Sequence, residues 1–263
     1  MFPNIKAYQG HMSGPMKKFR WLDQYKLEPY HNYSDPLIVF GCYRPVDIRV
    51  VNRHKGPVIV FWCGNDTHKS DAQLMDKPNI IHTTILPKAQ QYIQQKGIKC
   101  HLLKPAVKES REMAPPLKMG NKIYTYLNRS KPDYHGRKII EQLNTKYDIL
   151  VGDHSIPRGD WYNGVSNEYY SKCFIGLFLS DYVGGGQSVI EMGMRGIRVV
   201  TNVLNMPHTI PWETIEDVEI AIEKESENIG KVNYTLSDQV YDSLVRDLDC
   251  FDLAKLLMYE KAA

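Results

Sequence analysis

Short continuous apolar runs, rich in Val, Ile, Phe and Tyr, alternate along this chain with stretches of helical spacing. Runs without an apolar/polar alternation suit strands buried on both faces, as in a parallel sheet. In the first part of the chain this predicts strands at 37–40, 58–62, 79–84 and 99–103. A helix is predicted at 88–95, stopped by Gly97 as its C-terminal cap. The segment 104–121 breaks the pattern with Pro105, Pro115, Pro116 and Gly120, the composition of a linker. A second series follows it. Strands are expected at 122–127, 147–151, 174–179 and 198–201, and helices at 136–143, 166–173, 187–194, 214–224 and 252–259. Ser166 is the expected N-cap of one helix; Thr214 with Asp217 forms a capping box for another.

Strand and helix alternate in both halves, which predicts an α/β protein of two Rossmann-like domains with parallel sheets. The expected division is 1–117 and 118–263, with the last helix crossing back to the first domain. In such sheets ligands bind at the carboxyl ends of the strands, and a cleft between the two domains is the expected place.

Composition narrows the function classes. The 263 residues include 43% hydrophobic and 24% charged residues, with a net charge of +3, and carry no concentrated basic stripe of the kind nucleic acids require. Lys17, Lys18 and Arg20 beside Trp21 form either a solvated segment or a peripheral contact with a membrane or an anionic acceptor. No apolar stretch approaches the roughly 20 residues of a membrane helix, and residues 1–10 lack the apolar core of a signal peptide. The five cysteines are scattered, with no Cys-x-x-Cys pair, so neither a disulfide framework nor a zinc site is expected, and the compartment reads as cytoplasmic.

The chemistry concentrates after the strand at 174–179, where Gly184, Gly185 and Gly186 lead through Gln187 and Ser188 into a helix carrying Glu191. Glycines let the backbone approach a ligand, and a helix start offers N–H groups and a positive dipole end that suit a diphosphate. A carboxylate one turn further on can accept hydrogen bonds from two vicinal ribose hydroxyls. The alternative is a glycine-rich turn followed by a surface glutamate.

The run from Tyr169 to Ser180 resembles the pattern Y-x-x-A-D-x-x-x-x-P-S, and the run through Gly193, Gly196 and Thr201 resembles E-G-x-G-x-x-x-x-E-A-M-A-x-G-x-P-V-V-A-T. These are similar to the nucleotide-sugar half of retaining GT-B glycosyltransferases, family four. The resemblance implies that Glu191 holds the ribose. The family's other glutamate, near the donor sugar, falls on Val183, a departure that bears on activity. It also implies that Arg129, with Lys131 or His135 in the place of the family's lysine, grips the diphosphate. Arg158 or Trp161 would meet the base, unless their loop is a surface excursion. The amino-terminal half matches more loosely, through Gly41 after one strand and Gly64 and Asp66 after the next. Asp66 either orients an acceptor hydroxyl or caps the chain from Thr67 onward. His68 and His82 are further candidate sugar contacts.

The implied activity is transfer of a sugar from a nucleoside-diphosphate sugar to a hydroxyl acceptor with retention, an EC 2.4 reaction. Arg129 and the helix start at Gly186 would take the place of a metal ion, so no metal or other cofactor is expected. The alternatives are a nucleotide-sugar epimerase or a non-catalytic nucleotide- or glycan-binding module.

Overall fold

The structure, a computed structural model, describes residues 6–8, 27–69, 71–105, 111–127, 132–152, 167–180 and 186–244. They fall into two units divided between Lys108 and Glu109, the second ending at Leu244. The helix expected at 252–259 and the Lys17–Arg20 cluster lie outside the described residues. No described helix is long and apolar enough to cross a membrane.

Unit 1 holds one six-stranded sheet. Its strands are β1 (Lys6–Tyr8), β2 (Glu28–Pro29), β3 (Leu37–Phe40), β4 (Val58–Trp62), β5 (Ile80–Thr84) and β6 (Cys100–Leu102). All pairs are parallel, in the order β2-β1-β3-β4-β5-β6. Every residue of β3, β4 and β5 is buried, which is why β3 and β4 read as unbroken apolar runs. The polar residues of β5 survive burial by bonding: Thr83 and Thr84 donate to the carbonyls of Val60 and Trp62 at 3.3 and 2.9 Å. Leu37, Val39, Val58, Val60 and Trp62 form one core face with Val51 and Ile93. Those last two come from helices α1 (Pro45–Arg53) and α3 (Pro87–Gln95); the single turn α2 (Asp66–Lys69) follows β4. Both longer helices start with proline at the first position, where its missing N–H costs nothing.

Unit 2 holds a five-stranded parallel sheet in the order β11-β10-β9-β7-β8. The strands are β7 (Lys122–Tyr126), β8 (Ile149–Gly152), β9 (Cys173–Phe178), β10 (Arg198–Thr201) and β11 (Thr209–Ile210). Its helices are α4 (Arg137–Leu143), α5 (Asn167–Tyr170), α6 (Gln187–Met194), α7 (Ile215–Ser226) and α8 (Tyr234–Ser243). The helix expected over 166–173 is cut to α5 because the next backbone groups join the sheet region. The carbonyls of Lys172 and Cys173 accept from Lys122 and Gly120 at 2.9 and 3.2 Å. The expected capping box of α7 forms: the Thr214 side chain accepts from the Asp217 N–H, and Asp217 reaches back to the Thr214 N–H at 2.9 Å. Helix α6 packs on β9 and β10, and α8 on α6. A Cβ on Gly176 would come within 2.6 Å of the Met192 sulfur, so β9 needs glycine where α6 crosses it.

Candidate functional site

Each sheet reverses its strand order once. In unit 1 the chain passes from β1 to β2 on one side and returns to β3 on the other; in unit 2 it passes from β7 to β8 and returns to β9. The gap outside the carboxyl ends of β1 and β3, or of β7 and β9, is where an open parallel sheet accommodates a ligand, because the connections leave in opposite directions there.

In unit 2 His135 stands at this point. Tyr126 ends β7 and Phe178 ends β9, and the His135 ring stands edge-on to both, with centroids at 5.3 and 5.7 Å. A short 3-10 turn, Pro132–His135, carries that histidine. Ser180 tethers the turn by donating to the Tyr134 carbonyl at 2.9 Å. Burial pushes the His135 pKa below its ordinary value, so the ring is neutral at pH 7. Its Nδ1 is buried without a hydrogen-bond partner among the described residues.

Six residues beyond Ser180, Gly186 caps α6 with φ 110°, a conformation that L side chains rarely adopt. Glycine brings no side-chain acceptor to the cap, so it places nothing of its own between a ligand and the first turn, where Gln187 and Ser188 are half-buried. Gly184, Gly185, Arg129, Lys131, Arg158, Trp161 and Val183 lie outside the described residues.

Glu191 is 4% exposed and turned inward. Its Oε2 accepts from the Tyr170 hydroxyl at 2.7 Å. The fully buried Tyr170 ring lies under the Arg195 guanidinium at 5.2 Å and against Tyr124 at 5.4 Å. Arg195, 2% exposed, donates through Nε to Asn167 at 2.7 Å and through Nη1 to the Glu191 carbonyl at 2.8 Å. Further along α6, Gly193 meets His208: an added Cβ would lie 2.5 Å from the ring. His208 bonds the Val189 carbonyl through Nε2 at 2.8 Å, and burial lowers its pKa to about 4, so it is a neutral packing histidine.

In unit 1 the corresponding loops are closed by acids. Asp66 is fully buried and accepts from the backbone N–H groups of Cys42 and Cys63 at 3.1 and 3.2 Å, tying the ends of β3 and β4 together. Burial raises its pKa to about 6, against the opposing pull of those amide bonds. Asp47, also fully buried, accepts from the N–H groups of Tyr43 and Arg44 at 3.2 and 2.9 Å. Gly41 and Gly64 hold φ of 73° and 138° where the chain leaves β3 and β4. His82 is a core residue: Trp62 donates to its Nδ1 at 3.1 Å, and burial lowers its pKa to about 4. His68 is exposed and rests on Tyr92, 4.2 Å between centroids.

Asp47, Tyr170 and Arg195 escaped the sequence reading. A lone Asp, Tyr or Arg in a mixed run carries no signal, since their partners are set by the tertiary fold. Among the described residues no group of three His, Cys, Asp or Glu could hold a metal ion.

No protein-family model and no curated protein matches the chain in sequence. Among solved structures it is similar to sucrose-phosphate synthase from Thermosynechococcus elongatus. Identity is 11% and the TM-score 0.54, over 92% of this chain and 75% of that one. An alpha1,3-fucosyltransferase aligns at 12% identity with a TM-score of 0.49, over 98% of this chain and 89% of that one. The fold is of the GT-B type. What the sequence resemblance implied about architecture therefore holds, two Rossmann-like α/β units with parallel sheets. At this identity the likeness to known GT-B proteins is one of fold.

Proposed function

We propose that the chain is a glycosyltransferase that binds a nucleoside-diphosphate sugar at the carboxyl ends of β7 and β9 and transfers the sugar to a hydroxyl acceptor with retention. The observation that carries this reading is the coincidence, in unit 2, of the strand-order reversal with a helix capped by a left-handed glycine. A diphosphate at that helix start gains N–H donors and the positive end of the dipole. Arg129 and Lys131 add positive charge in the loop that follows β7, with His135 as a neutral hydrogen-bonding neighbour that gains a proton as phosphate approaches. Arg158 contributes to the base contact, and Gly184 and Gly185 let the backbone close on the phosphates. Glu191 accepts the ribose hydroxyls. Asp66 acts through the backbone, shaping the Gly41 and Gly64 turns that face the acceptor.

In this mechanism the leaving diphosphate takes the acceptor's proton on the face it vacates. The protein supplies position and charge stabilisation rather than a strong base.

Thermal-shift titration with UDP, GDP, ADP and their sugars tests the donor site, since a ligand of the folded state alone raises stability with the logarithm of its occupancy. One nucleotide series should raise Tm in the parent, and Glu191→Ala should blunt that rise. No shift with any nucleotide sinks the reading. Val183, standing where family four has a glutamate near the donor sugar, favours a second reading, a nucleotide-binding module without turnover. Release of free nucleoside diphosphate from a bound donor, with an acceptor mixture present, separates the two.

A further inference from the structure

Helices α5 and α6 are joined by a closed bracket of side chains. Asn167 opens α5 and Tyr170 ends it; Glu191 lies in α6, and Arg195, one turn further on, is its C-cap. Arg195 bonds Asn167 and the Glu191 carbonyl, covers the Tyr170 ring, and Tyr170 in turn bonds the Glu191 carboxylate. The hydrogen bonds Asn167–Arg195, Arg195–Glu191 and Tyr170–Glu191 are 2.7–2.8 Å long, and α5 itself joins Asn167 to Tyr170.

Such a bracket does more than satisfy a buried acid. A carboxylate offers about four acceptor positions on two oxygens, and the Tyr170 hydroxyl on Oε2 helps fix the plane in which they lie. Tyr170 cannot follow a rotation of Glu191, because its ring is fully buried between Arg195 and Tyr124. Burial and the neighbouring Glu191 hold its phenol far above the ordinary value, so it remains a donor at all ordinary pH. Glu191 is thus a carboxylate with an orientation imposed by a neighbouring helix. That is the requirement for recognising two vicinal hydroxyls rather than any hydrogen-bond donor.

We propose that Tyr170, held by Arg195, is the positioning residue that lets Glu191 distinguish a ribonucleotide from its 2′-deoxy counterpart. This rests on the nucleoside-diphosphate reading of unit 2. It deepens that reading by assigning the sugar discrimination to a residue that itself touches no ligand.

The test is calorimetric titration of the full chain with the nucleoside diphosphate that shifts its melting, with the 2′-deoxy form, and with inorganic diphosphate. Losing one well-made hydrogen bond corresponds to about tenfold in affinity, so the parent should prefer the ribonucleotide by about that factor. Tyr170→Phe should bring the ratio of the two dissociation constants close to one while leaving inorganic diphosphate bound as in the parent. Glu191→Gln should do the same. Arg195→Lys, which keeps the charge but loses the fork that ties α5 to α6, should lower the ratio partway and serves if Tyr170→Phe does not fold.

A Tyr170→Phe protein that melts lower but keeps the parent ratio assigns Tyr170 to packing alone and overturns the proposal. So does a Glu191→Gln protein with the parent ratio, which would leave the diphosphate site standing. A parent that binds neither nucleotide removes the donor-site reading, and the positioning role with it.

Discussion

The two units use one device, a parallel sheet whose strand order reverses once, and furnish it with opposite chemistry. At the ends of β3 and β4 in unit 1, Asp47 and Asp66 are fully buried and spend themselves on backbone N–H groups of the chain leaving the strands. At the ends of β7 and β9 in unit 2 stands a histidine whose Nδ1 is buried without a hydrogen-bond partner among the described residues, and the helix that follows β9 in the chain starts with glycine. A diphosphate brought to the first would meet two carboxylates; brought to the second it would meet a helix N-terminus. A shared strand-order reversal therefore does not make the two sheets equivalent as phosphate sites. The charge placed at the carboxyl ends of the strands decides which is suited to an anion, and among the described residues unit 2 suits one.

The sharpest way to break this comparison is to remove the unit 1 acid. Asp66→Ala leaves the N–H groups of Cys42 and Cys63 buried without their acceptor, and an unsatisfied buried donor costs on the order of 1–3 kcal/mol. A loss of about 3 kcal/mol in urea unfolding is expected, with no weakening of nucleotide binding per folded molecule. If Asp66→Ala melts as the parent does, the closure of unit 1 by its own acids is wrong.

The same carboxylate gives a pH signature. Its folded pKa of about 6 lies above the ordinary 3.8, so the native state holds the proton more tightly than the unfolded chain. The resulting stability is fully present below the unfolded value and is lost as pH rises through about 6. The change from 3.8 to about 6 corresponds to about 3 kcal/mol across that window. Asp66→Asn cannot titrate, so the parent-minus-mutant stability should fall by roughly that amount between pH 4 and pH 7, read from urea titrations. A flat difference would mean that the backbone amides offset burial completely.

Two glycines of α6 separate stability from binding. Gly186 holds φ 110°, where a β-branched residue is strained by about 1–3 kcal/mol. Gly193 faces the His208 ring at a distance no Cβ tolerates, so alanine there should cost about 1–3 kcal/mol through overpacking. Gly186→Val and Gly193→Ala should therefore lose comparable stability, near 2 kcal/mol each. Only Gly186→Val should abolish the thermal shift given by nucleotide. Equal responses in the two would detach the helix start from the ligand.

What the sequence made legible was governed by burial on both faces and by local caps. The runs of β4 and β9 are buried at every position, so their apolar continuity is forced, and the α7 box lies within four residues of chain. The three-residue β1 and the two-residue β2 and β11 are edge or near-edge strands with no run to read. Helix α1 escaped because its start is held by Asp47 reaching back to Tyr43 and Arg44 rather than by a polar N-cap side chain. Helix α8 could have been found, since Asn233 caps it and Leu236 and Val240 follow at helical spacing. For the site, the glycine cap and Glu191 were visible as a motif. The partners of the two carboxylates were not: Cys42 is 24 residues from Asp66 and Tyr170 is 21 from Glu191, separations that only the folded sheets bring together.

The gentlest probe of the contrast is His135 itself. With its pKa depressed by burial, the free protein carries a neutral ring at pH 7, and a bound diphosphate would draw a proton onto it. Binding that takes up a proton strengthens as pH falls, so nucleotide affinity in the parent should rise from pH 8 toward pH 6, by at most about tenfold per unit. His135→Gln keeps a hydrogen-bonding side chain of similar reach but has nothing to protonate, and its affinity should change less over the same range. Because the ring is only half-buried, the substitution should cost stability on the order of 1 kcal/mol. Titrations at three pH values in buffers of differing ionisation enthalpy would count the proton directly. A parent whose affinity ignores pH while His135→Gln still binds would place the phosphates away from the β7–β9 reversal, and with them the asymmetry between the two sheets.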